Sequence, residues 1–124
     1  MSDRVLVVDD SVSMRQMIHI ILKGAGYTVD EAGSGPEALS LLSSEHRAII
    51  TDYNMPEMNG VEFIERVRAG SVNKAVPILM LTTESEDAKR EAGKRAGATA
   101  WLTKPFQKGE LIEVVKKVAT TVEF

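Results

Sequence analysis

A chain of 124 residues has the length of one ordinary domain, and a hydrophobic fraction of 44% is enough for one core. The net charge of −3 argues against a nucleic-acid-binding protein, and the absence of cysteine excludes disulfides and thiolate metal sites. No apolar run is long enough to cross a membrane or to form a signal peptide. We therefore expect a cytoplasmic, monomeric protein without membrane insertion, with one domain over residues 1–124.

The first part of the chain predicts a strand, a helix and a second strand. Residues 5–8 form a continuous apolar run, as in a strand buried on both faces. Apolar residues recur at helical spacing from Met14 to Ala25, and Gly24 and Gly26 predict the end of this helix. His19, inside the helix, is interpreted as a surface or boundary residue. Residues 27–32 alternate more between apolar and polar, which predicts an edge strand.

The middle of the chain repeats this alternation of helix and strand. Pro36 suits the first turn of a second helix, residues 48–51 predict a third strand, and Asn59-Gly60 opens a third helix that extends to about Val67. Residues 76–81 predict the fourth strand, with Pro77 near its start, where a missing N–H group does least harm. His46, in the polar loop before the third strand, is interpreted as another surface or boundary residue.

The fourth helix, at about residues 86–96, is predicted to be weakly held. Its small apolar face consists of alanines, and Gly93 in its interior costs about 1 kcal/mol of helix stability. Such an element is expected to move readily in a conformational switch. Residues 98–103 then predict the fifth strand, and the apolar spacing from Leu111 to Val122 predicts the last helix.

Five strand–helix units predict an α/β fold with a doubly wound, five-stranded parallel sheet. Right-handed crossovers restrict the topology, and the strand order 2-1-3-4-5 places the first and third strands side by side at a switch point. Asp9 and Asp10 follow the first strand, and Asp52 follows the third. This order therefore predicts that the three carboxylates share one cleft.

The groups predicted at this edge of the sheet suit the handling of phosphate. Three clustered carboxylates repel one another, and oxygen ligands without cysteine or a nearby histidine favour Mg²⁺, or Mn²⁺. Thr82 adds a hydroxyl and Lys104 an ammonium at the ends of the fourth and fifth strands. A divalent ion, an amine, a hydroxyl and a carboxylate nucleophile together suit phosphoryl transfer. Asp52, alone at its strand end, is the predicted nucleophile, and Asp9 and Asp10 are the predicted metal ligands.

Each motif taken alone also has a simpler structural interpretation. Asp9-Asp10-Ser11 and Thr82-Thr83 are typical of helix N-caps. Asp52 and Lys104-Pro105 are typical of turns. The functional interpretation depends on all of these motifs occurring together at the ends of predicted strands.

In order and spacing, these residues resemble the receiver domain of two-component response regulators over nearly the whole chain. The motifs are the acidic pair after the first strand, Asp52 within Asp-Tyr-Asn-Met-Pro, Asn59-Gly60, Thr82 and Lys104-Pro105-Phe106. The segment beginning at Trp101 and the expected absence of an output domain are most similar to the stand-alone chemotaxis response regulators. The resemblance implies a flavodoxin-like (βα)5 three-layer sandwich and a phosphoprotein of a two-component system.

The resemblance also implies the roles of the site residues. A histidine kinase presents a phosphohistidine, and Asp52 accepts its phosphoryl group. The implied ligands of Mg²⁺ are Asp10, Asp52, the main-chain carbonyl of Asn54 and, through water, Asp9. Lys104 pairs with Asp52 and then with the phosphoryl oxygens, and the Lys104–Pro105 bond is implied to be cis. Asn54 and Glu84 are expected to orient water for self-dephosphorylation, without turnover of a separate substrate.

The implied output is a conformational switch. The Thr82 hydroxyl moves to a phosphoryl oxygen, Trp101 turns inward, and the face of the fourth helix, fifth strand and fifth helix is remodelled. The best-known family pattern has tyrosine or phenylalanine at this position, so a permanently packed Trp101 stays an alternative. Basic residues on the same face are expected either to dock a downstream protein, such as the flagellar motor switch, or simply to be solvated. These residues are Lys89, Arg90, Lys94, Arg95 and Lys108.

Other functions compatible with the same residues stay open. Within the family, the chain could be a phosphorelay shuttle or a phosphate sink, and a phosphatase is a further expected partner. An aspartyl-nucleophile phosphohydrolase would place its nucleophile after the first strand with a second aspartate two residues on, a pattern that Val12 breaks. A flavin or nucleotide binder would need more of a phosphate loop than the glycines at positions 33 and 35 supply.

Overall fold

The structure, a computed structural model of the chain, describes residues 3–83 and 87–120. Within these residues, five strands alternate with five helices. The strands are β1 (Arg4–Val8), β2 (Thr28–Ala32), β3 (His46–Asp52), β4 (Ile78–Thr83) and β5 (Ala100–Lys104). The helices are α1 (Val12–Gly24), α2 (Gly35–Leu41), α3 (Gly60–Ala69), α4 (Asp87–Ala96) and α5 (Lys108–Thr120). None of these helices combines the length and apolar character needed to cross a membrane.

The sheet has the predicted topology. Its strand order is β2-β1-β3-β4-β5, and every neighbouring pair is parallel. Side chains alternate across β1, so that Val5 and Val7 pack in the core beside α1 and α5, whereas Leu6 and Val8 pack in the core beside α2 and α3. The continuous apolar run of β1 therefore reflects burial on both faces. Helices on both faces of the sheet make the predicted three-layer sandwich.

Side-chain caps fix where the helices nearest the predicted site begin. The Ser11 hydroxyl accepts a hydrogen bond from the main-chain N–H of Met14 and starts α1 directly after the acidic pair. Asn59 and Glu62 form a reciprocal capping box that starts α3 soon after β3. At the other end of α1, Gly26 has a φ of 102°, which explains the glycine at this position. Short connections thus bring both helix starts to the carboxyl edge of the sheet.

The interpretation of His46 as a surface or boundary residue in the loop before the third strand was wrong. His46 is the first residue of β3, and its side chain is only 1% exposed. Its Nδ1 accepts a hydrogen bond from the main-chain N–H of Ser43, so its Nε2 carries the proton that is donated to Asp30 at 2.8 Å. A polar segment can be buried here because Asp30, on β2, supplies the partner. That partner comes from the tertiary arrangement and not from neighbouring sequence.

Helix α4 packs in a way that the sequence did not suggest. Gly93 is its one fully buried residue among those described, and the other positions are half-buried or exposed. A methyl group at Gly93 would lie 2.4 Å from Cε of Met80 on β4, so the glycine permits a close approach of helix and sheet. Gly93 is therefore a packing contact as well as a helix-weakening residue. The expected mobility of α4 stays a prediction.

Candidate functional site

Three carboxylates meet at the carboxyl edge of the sheet. Val8 of β1 is in register with Thr51 of β3, and the residues that follow or end these strands are therefore neighbours. Asp9, Asp10 and Asp52 each offer one carboxylate oxygen, and these three oxygens all lie within 4.8 Å of one another. Asp9 and Asp52 are buried, whereas Asp10 is exposed. The strand order thus brings the predicted acidic residues together in one cleft.

The two carboxylate oxygens of Asp9 differ in their surroundings. Oδ1 accepts a hydrogen bond from the main-chain N–H of Ser11 at 2.9 Å. Oδ2 is buried without a hydrogen-bond partner, and Nζ of Lys104 lies 3.7 Å away. A buried anionic oxygen in this state is costly unless a cation compensates it. The arrangement therefore fits a hard divalent cation such as Mg²⁺, which prefers oxygen ligands.

Lys104 supplies a fixed positive charge to the same cleft. Its Nζ lies 3.1 Å from Oδ1 of Asp52, and only 14% of its side chain is exposed. Lys104 ends β5, two strands away from β3, and the bond to Pro105 is cis, as the resemblance implied. The ammonium group is thus placed to balance a charge carried by Asp52.

Burial shifts the proton equilibrium of Asp52. Burial is the largest influence and raises the pKa of its carboxyl group, and the negative charge of Asp9 raises it further. The charge and hydrogen bond of Lys104 lower it, but the net pKa stays above the ordinary value. The ionised carboxylate is therefore held in an environment that penalises its charge, which is a common property of functional sites.

The loop after β3 is held tightly below Asp52. The main-chain N–H of Tyr53 donates to the carbonyl of Leu81 at 2.9 Å, and the N–H of Gly60 donates to the carbonyl of Tyr53 at 2.8 Å. A methyl group at Gly60 would lie 2.6 Å from the carbonyl oxygen of Asp52, so only glycine fits this approach. The Asn-Gly start of α3 thus fixes the backbone of the predicted nucleophile. Asn54, which follows Tyr53 in the loop after β3, is exposed.

The residues predicted to form the switch occupy β4 and β5. Thr82 is buried in β4 and is in register with Thr103 of β5. Trp101 of β5 is half-buried and packs beside the core on the α4 side of the sheet. Glu84, the predicted partner of Asn54 in orienting water, lies outside the described residues.

Comparisons with known proteins decide the family. The sequence model of the response regulator receiver domain family matches residues 5–116 of the chain. The chain belongs to this family. Chemotaxis protein CheY1 of Helicobacter pylori is 40% identical over 121 residues, which cover 95% of this chain and 98% of that protein. The structure of the chemotaxis response regulator CheY4 of Vibrio cholerae is 46% identical with a TM-score of 0.89, over 95% of this chain and 99% of that chain.

One further receiver structure bears on the metal. The receiver domain of a Pseudomonas aeruginosa sensor histidine kinase is 27% identical, with a TM-score of 0.87, over 96% of this chain and 98% of that chain. It is described with a magnesium ion coordinated in its active site cleft. The resemblance drawn from the motifs is thus confirmed at the level of family and fold.

The basic residues of this receiver do not all face the same way. The guanidinium of Arg90 lies 5.6 Å from the centre of the Trp101 ring and donates a hydrogen bond to Oγ1 of Thr103. Nζ of the neighbouring Lys89 lies 4.8 Å from the centre of the Tyr53 ring. Lys89 therefore faces the loop after β3, whereas Arg90 covers β5. The remaining predicted residues of the partner face, Lys94, Arg95 and Lys108, are exposed.

Arg15 is a residue of this receiver's site that the sequence reasoning missed. Its Nη1 donates a hydrogen bond of 2.6 Å to the main-chain carbonyl of Asp9, and its Nε donates one of 3.0 Å to Glu31. The signal was present in α1, because Arg15 lies three and seven residues before the buried Ile18 and Leu22. An arginine on the buried stripe of a helix needs partners, and here they are the main-chain carbonyl of Asp9 and the carboxylate of Glu31.

Proposed function

We propose that this receiver accepts a phosphoryl group from the phosphohistidine of a histidine kinase onto Asp52 and thereby signals to a downstream protein. The observation that carries the proposal is the position of the Asp52 carboxylate, 3.1 Å from the Lys104 ammonium and clustered with Asp9 and Asp10. The similarity to chemotaxis proteins of Helicobacter pylori, Campylobacter jejuni and Vibrio cholerae supports a role in chemotaxis. The downstream protein would then be a component of the flagellar motor switch.

The proposed transfer is an in-line displacement. One carboxylate oxygen of Asp52 attacks phosphorus and forms a P–O bond, and the P–N bond to the donor imidazole breaks. The electron pair leaves on the imidazole nitrogen, which takes a proton from solvent. Lys104 pairs first with the carboxylate and then with the phosphoryl oxygens, so that its positive charge stays matched throughout.

The acidic residues would hold the metal ion on which this transfer depends. Asp10 and Asp52 would bind Mg²⁺, or Mn²⁺, directly, with the carbonyl of Asn54, and Asp9 would bind it through water. When bound, the ion neutralises the clustered carboxylates and the charge on the transferred group. The Oδ2 atom of Asp9, which is buried without a hydrogen-bond partner, supports this assignment.

The proposed output and reset use residues around the same cleft. Thr82 would move its hydroxyl to a phosphoryl oxygen, and Trp101 would turn inward, which changes the surface of α4, β5 and α5. Arg90 would leave its place against the Trp101 ring in this change. Asn54 and Glu84 would orient the water that hydrolyses the acyl phosphate, so that the signal is short. A separate phosphatase would shorten it further.

The fluorescence of Trp101, the only tryptophan in the chain, tests the site and the switch together. Beryllofluoride, which mimics a bound phosphoryl group, is added with Mg²⁺ to the purified protein. We expect an emission change in the parent and none in Asp52→Asn, which retains the shape of the side chain but not its charge. An equal change in both proteins would contradict the assignment of Asp52. If the parent protein is labelled with a phosphoryl group but its emission does not change on addition of beryllofluoride, only the proposed movement of Trp101 is contradicted.

A further inference from the structure

Almost every polar group of Asp9 is bound by a different part of the protein. Its main-chain N–H donates to the carbonyl of Ala32 at 3.1 Å, and its Oδ1 accepts from the N–H of Ser11. Its main-chain carbonyl accepts the 2.6 Å hydrogen bond from Arg15. Only Oδ2 is left without a hydrogen bond, and it lies on the side of Lys104. The orientation of Asp9 is thus fixed by its other three groups.

Arg15 is itself held in place on several sides. Its side chain is 18% exposed, and its Nε donates to Oε1 of Glu31 on β2. The other carboxylate oxygen of Glu31 is paired with Nδ1 of His19, one turn further along α1. Gly33 leaves the guanidinium room, because a methyl group there would lie 3.3 Å from Nη1 of Arg15. A planar guanidinium bound on two edges has little freedom to rotate.

We propose that Arg15 is a positioning residue for the acidic pair. The carbonyl of Asp9 belongs to the peptide group that joins Asp9 to Asp10, so the hydrogen bond from Arg15 fixes the plane from which both carboxylates project. Glu31 balances the positive charge of Arg15, and the effect of Arg15 on the cleft is therefore one of geometry. The proposal rests on the proposed function, in which Asp9 and Asp10 hold Mg²⁺.

Arg15→Met tests the proposal, because methionine retains the apolar stem and removes both hydrogen bonds. Mg²⁺ binding is measured by isothermal titration calorimetry. We expect the dissociation constant for Mg²⁺ to rise by about 10-fold to 100-fold, as is usual when a group that orients a metal ligand is lost. Arg47→Met is the matched control, because Arg47 is 57% exposed and lies 4.0 Å from Asp3. It removes the same charge from the surface and should leave the dissociation constant unchanged.

A second measurement, on the metal-free protein, separates positioning from general stability. Hydrogen exchange is followed at the amides of Ser11, which is bonded to Asp9, and of Leu6 in the centre of β1. Loss of positioning accelerates exchange at Ser11 relative to Leu6, whereas a general loss of stability accelerates both. If Arg15→Met does not fold, Arg15→Gln replaces it, since glutamine is too short to reach both partners.

A failure of the positioning role of Arg15 can be distinguished from a failure of the proposed function. A folded Arg15 variant with the parent's dissociation constant for Mg²⁺ and the parent's exchange at Ser11 would overturn the positioning role. A parent protein that neither binds Mg²⁺ nor accepts a phosphoryl group would instead overturn the proposed function. In that case the metal-free exchange at Ser11 still shows whether Arg15 fixes the acidic pair.

Discussion

At the scale of single residues, Asp52 combines its place in the proposed phosphorylation site with a cost in stability. Burial is the main reason that the pKa of Asp52 is raised, so the folded state binds its proton more tightly than the unfolded chain does. At pH values above the ordinary carboxylate pKa, the ionised side chain therefore lowers the free energy of unfolding. The residue is kept charged in a place where a neutral one would be more stable.

Asp52→Asn is therefore expected to raise the melting temperature of the metal-free protein at neutral pH. The amide fills the same space and carries no charge to desolvate. Added Mg²⁺ should reduce the difference, because the ion compensates the carboxylate of the parent and not the amide. Thermal unfolding followed by circular dichroism, with and without Mg²⁺, measures both effects. A less stable variant in the absence of metal would show that the pairing with Lys104 outweighs the burial of the charge.

Replacing glycine by alanine is expected to have different consequences for stability at Gly60 and at Gly93. In Gly60→Ala the new methyl group meets the carbonyl oxygen of Asp52, which is fixed backbone, and we expect a loss of about 1–3 kcal/mol. In Gly93→Ala it meets the end of the flexible Met80 side chain, and a gain in helix propensity of up to about 1 kcal/mol offsets the repacking. Urea unfolding of the two variants and the parent shows which substitution lowers the free energy of unfolding more. Equal losses of stability in the two variants would contradict this distinction between a fixed backbone contact at Gly60 and a flexible side-chain contact at Gly93.

At the scale of secondary-structure elements, one arginine connects α3 to the segments on either side of β4. Arg68 donates hydrogen bonds to three main-chain carbonyls and has no acidic partner among the described residues. The acceptors are Gly97 at the end of α4 and Lys74 and Val76 before β4. Burial lowers the pKa of its guanidinium, but such a group stays charged. The carbonyls therefore accept charge-assisted hydrogen bonds, which a neutral side chain at position 68 would not donate.

We expect Arg68→Met to lower the free energy of unfolding by about 2–3 kcal/mol, because several carbonyls lose hydrogen bonds from a charged donor. Arg68→Lys should recover only part of this loss, since one ammonium cannot reach all three acceptors. Arg66→Met, which removes a neighbouring exposed arginine of α3, is the control. Chemical denaturation measures the three variants. A loss no larger than that of the control would refute the role of Arg68 as a connector.

At the scale of the whole molecule, an ionic cluster at the opposite edge of the sheet links stability to pH. Burial raises the pKa of Asp30, but the hydrogen bonds from His46 and Arg4, together with the positive charge of Arg4, lower it by more. The folded state thus binds the Asp30 proton less tightly than the unfolded chain. The resulting stabilisation is complete above the unfolded pKa of about 3.9 and disappears as the pH falls through the lower folded value.

Asp30→Asn should therefore be less stable than the parent at neutral pH, and the difference should narrow below about pH 4. The asparagine can still accept a hydrogen bond from Nε2 of His46, so the comparison isolates the charge. Urea unfolding of both proteins across this pH range gives the difference directly. If the difference in the free energy of unfolding stays constant as the pH falls, Asp30 stabilises the protein through its shape and not through its charge.

Much of this molecule follows from local sequence and a few rules of topology. The apolar run at residues 5–8 predicts a buried strand, right-handed crossovers restrict the strand order, and strand-end positions then bring Asp9, Asp52 and Lys104 together. These inferences succeed because each depends on a pattern within one element and on the shared edge of a parallel sheet.

What sequence reasoning could not supply are partners chosen by the tertiary structure. His46 is buried because Asp30 of another strand hydrogen-bonds to it, and Arg15 reaches the candidate site because α1 brings it back to the carbonyl of Asp9. From the sequence, Gly93 is only a residue that weakens the helix, and its packing contact with Met80 of β4 is known only from the structure. Of the adjacent basic residues of α4, Lys89 faces the loop after β3 and Arg90 faces β5, and neither direction follows from the sequence before the helix is packed on the sheet.

The most direct test is to locate a covalently bound phosphoryl group. The protein is incubated with Mg²⁺ and a small acyl-phosphate donor, and its mass is measured intact and after rapid proteolysis at low temperature. We predict the addition of one HPO₃ group, placed on the peptide that contains Asp52, and none in Asp52→Asn. Labelling at another residue, or none in a parent protein that binds Mg²⁺, would contradict the account.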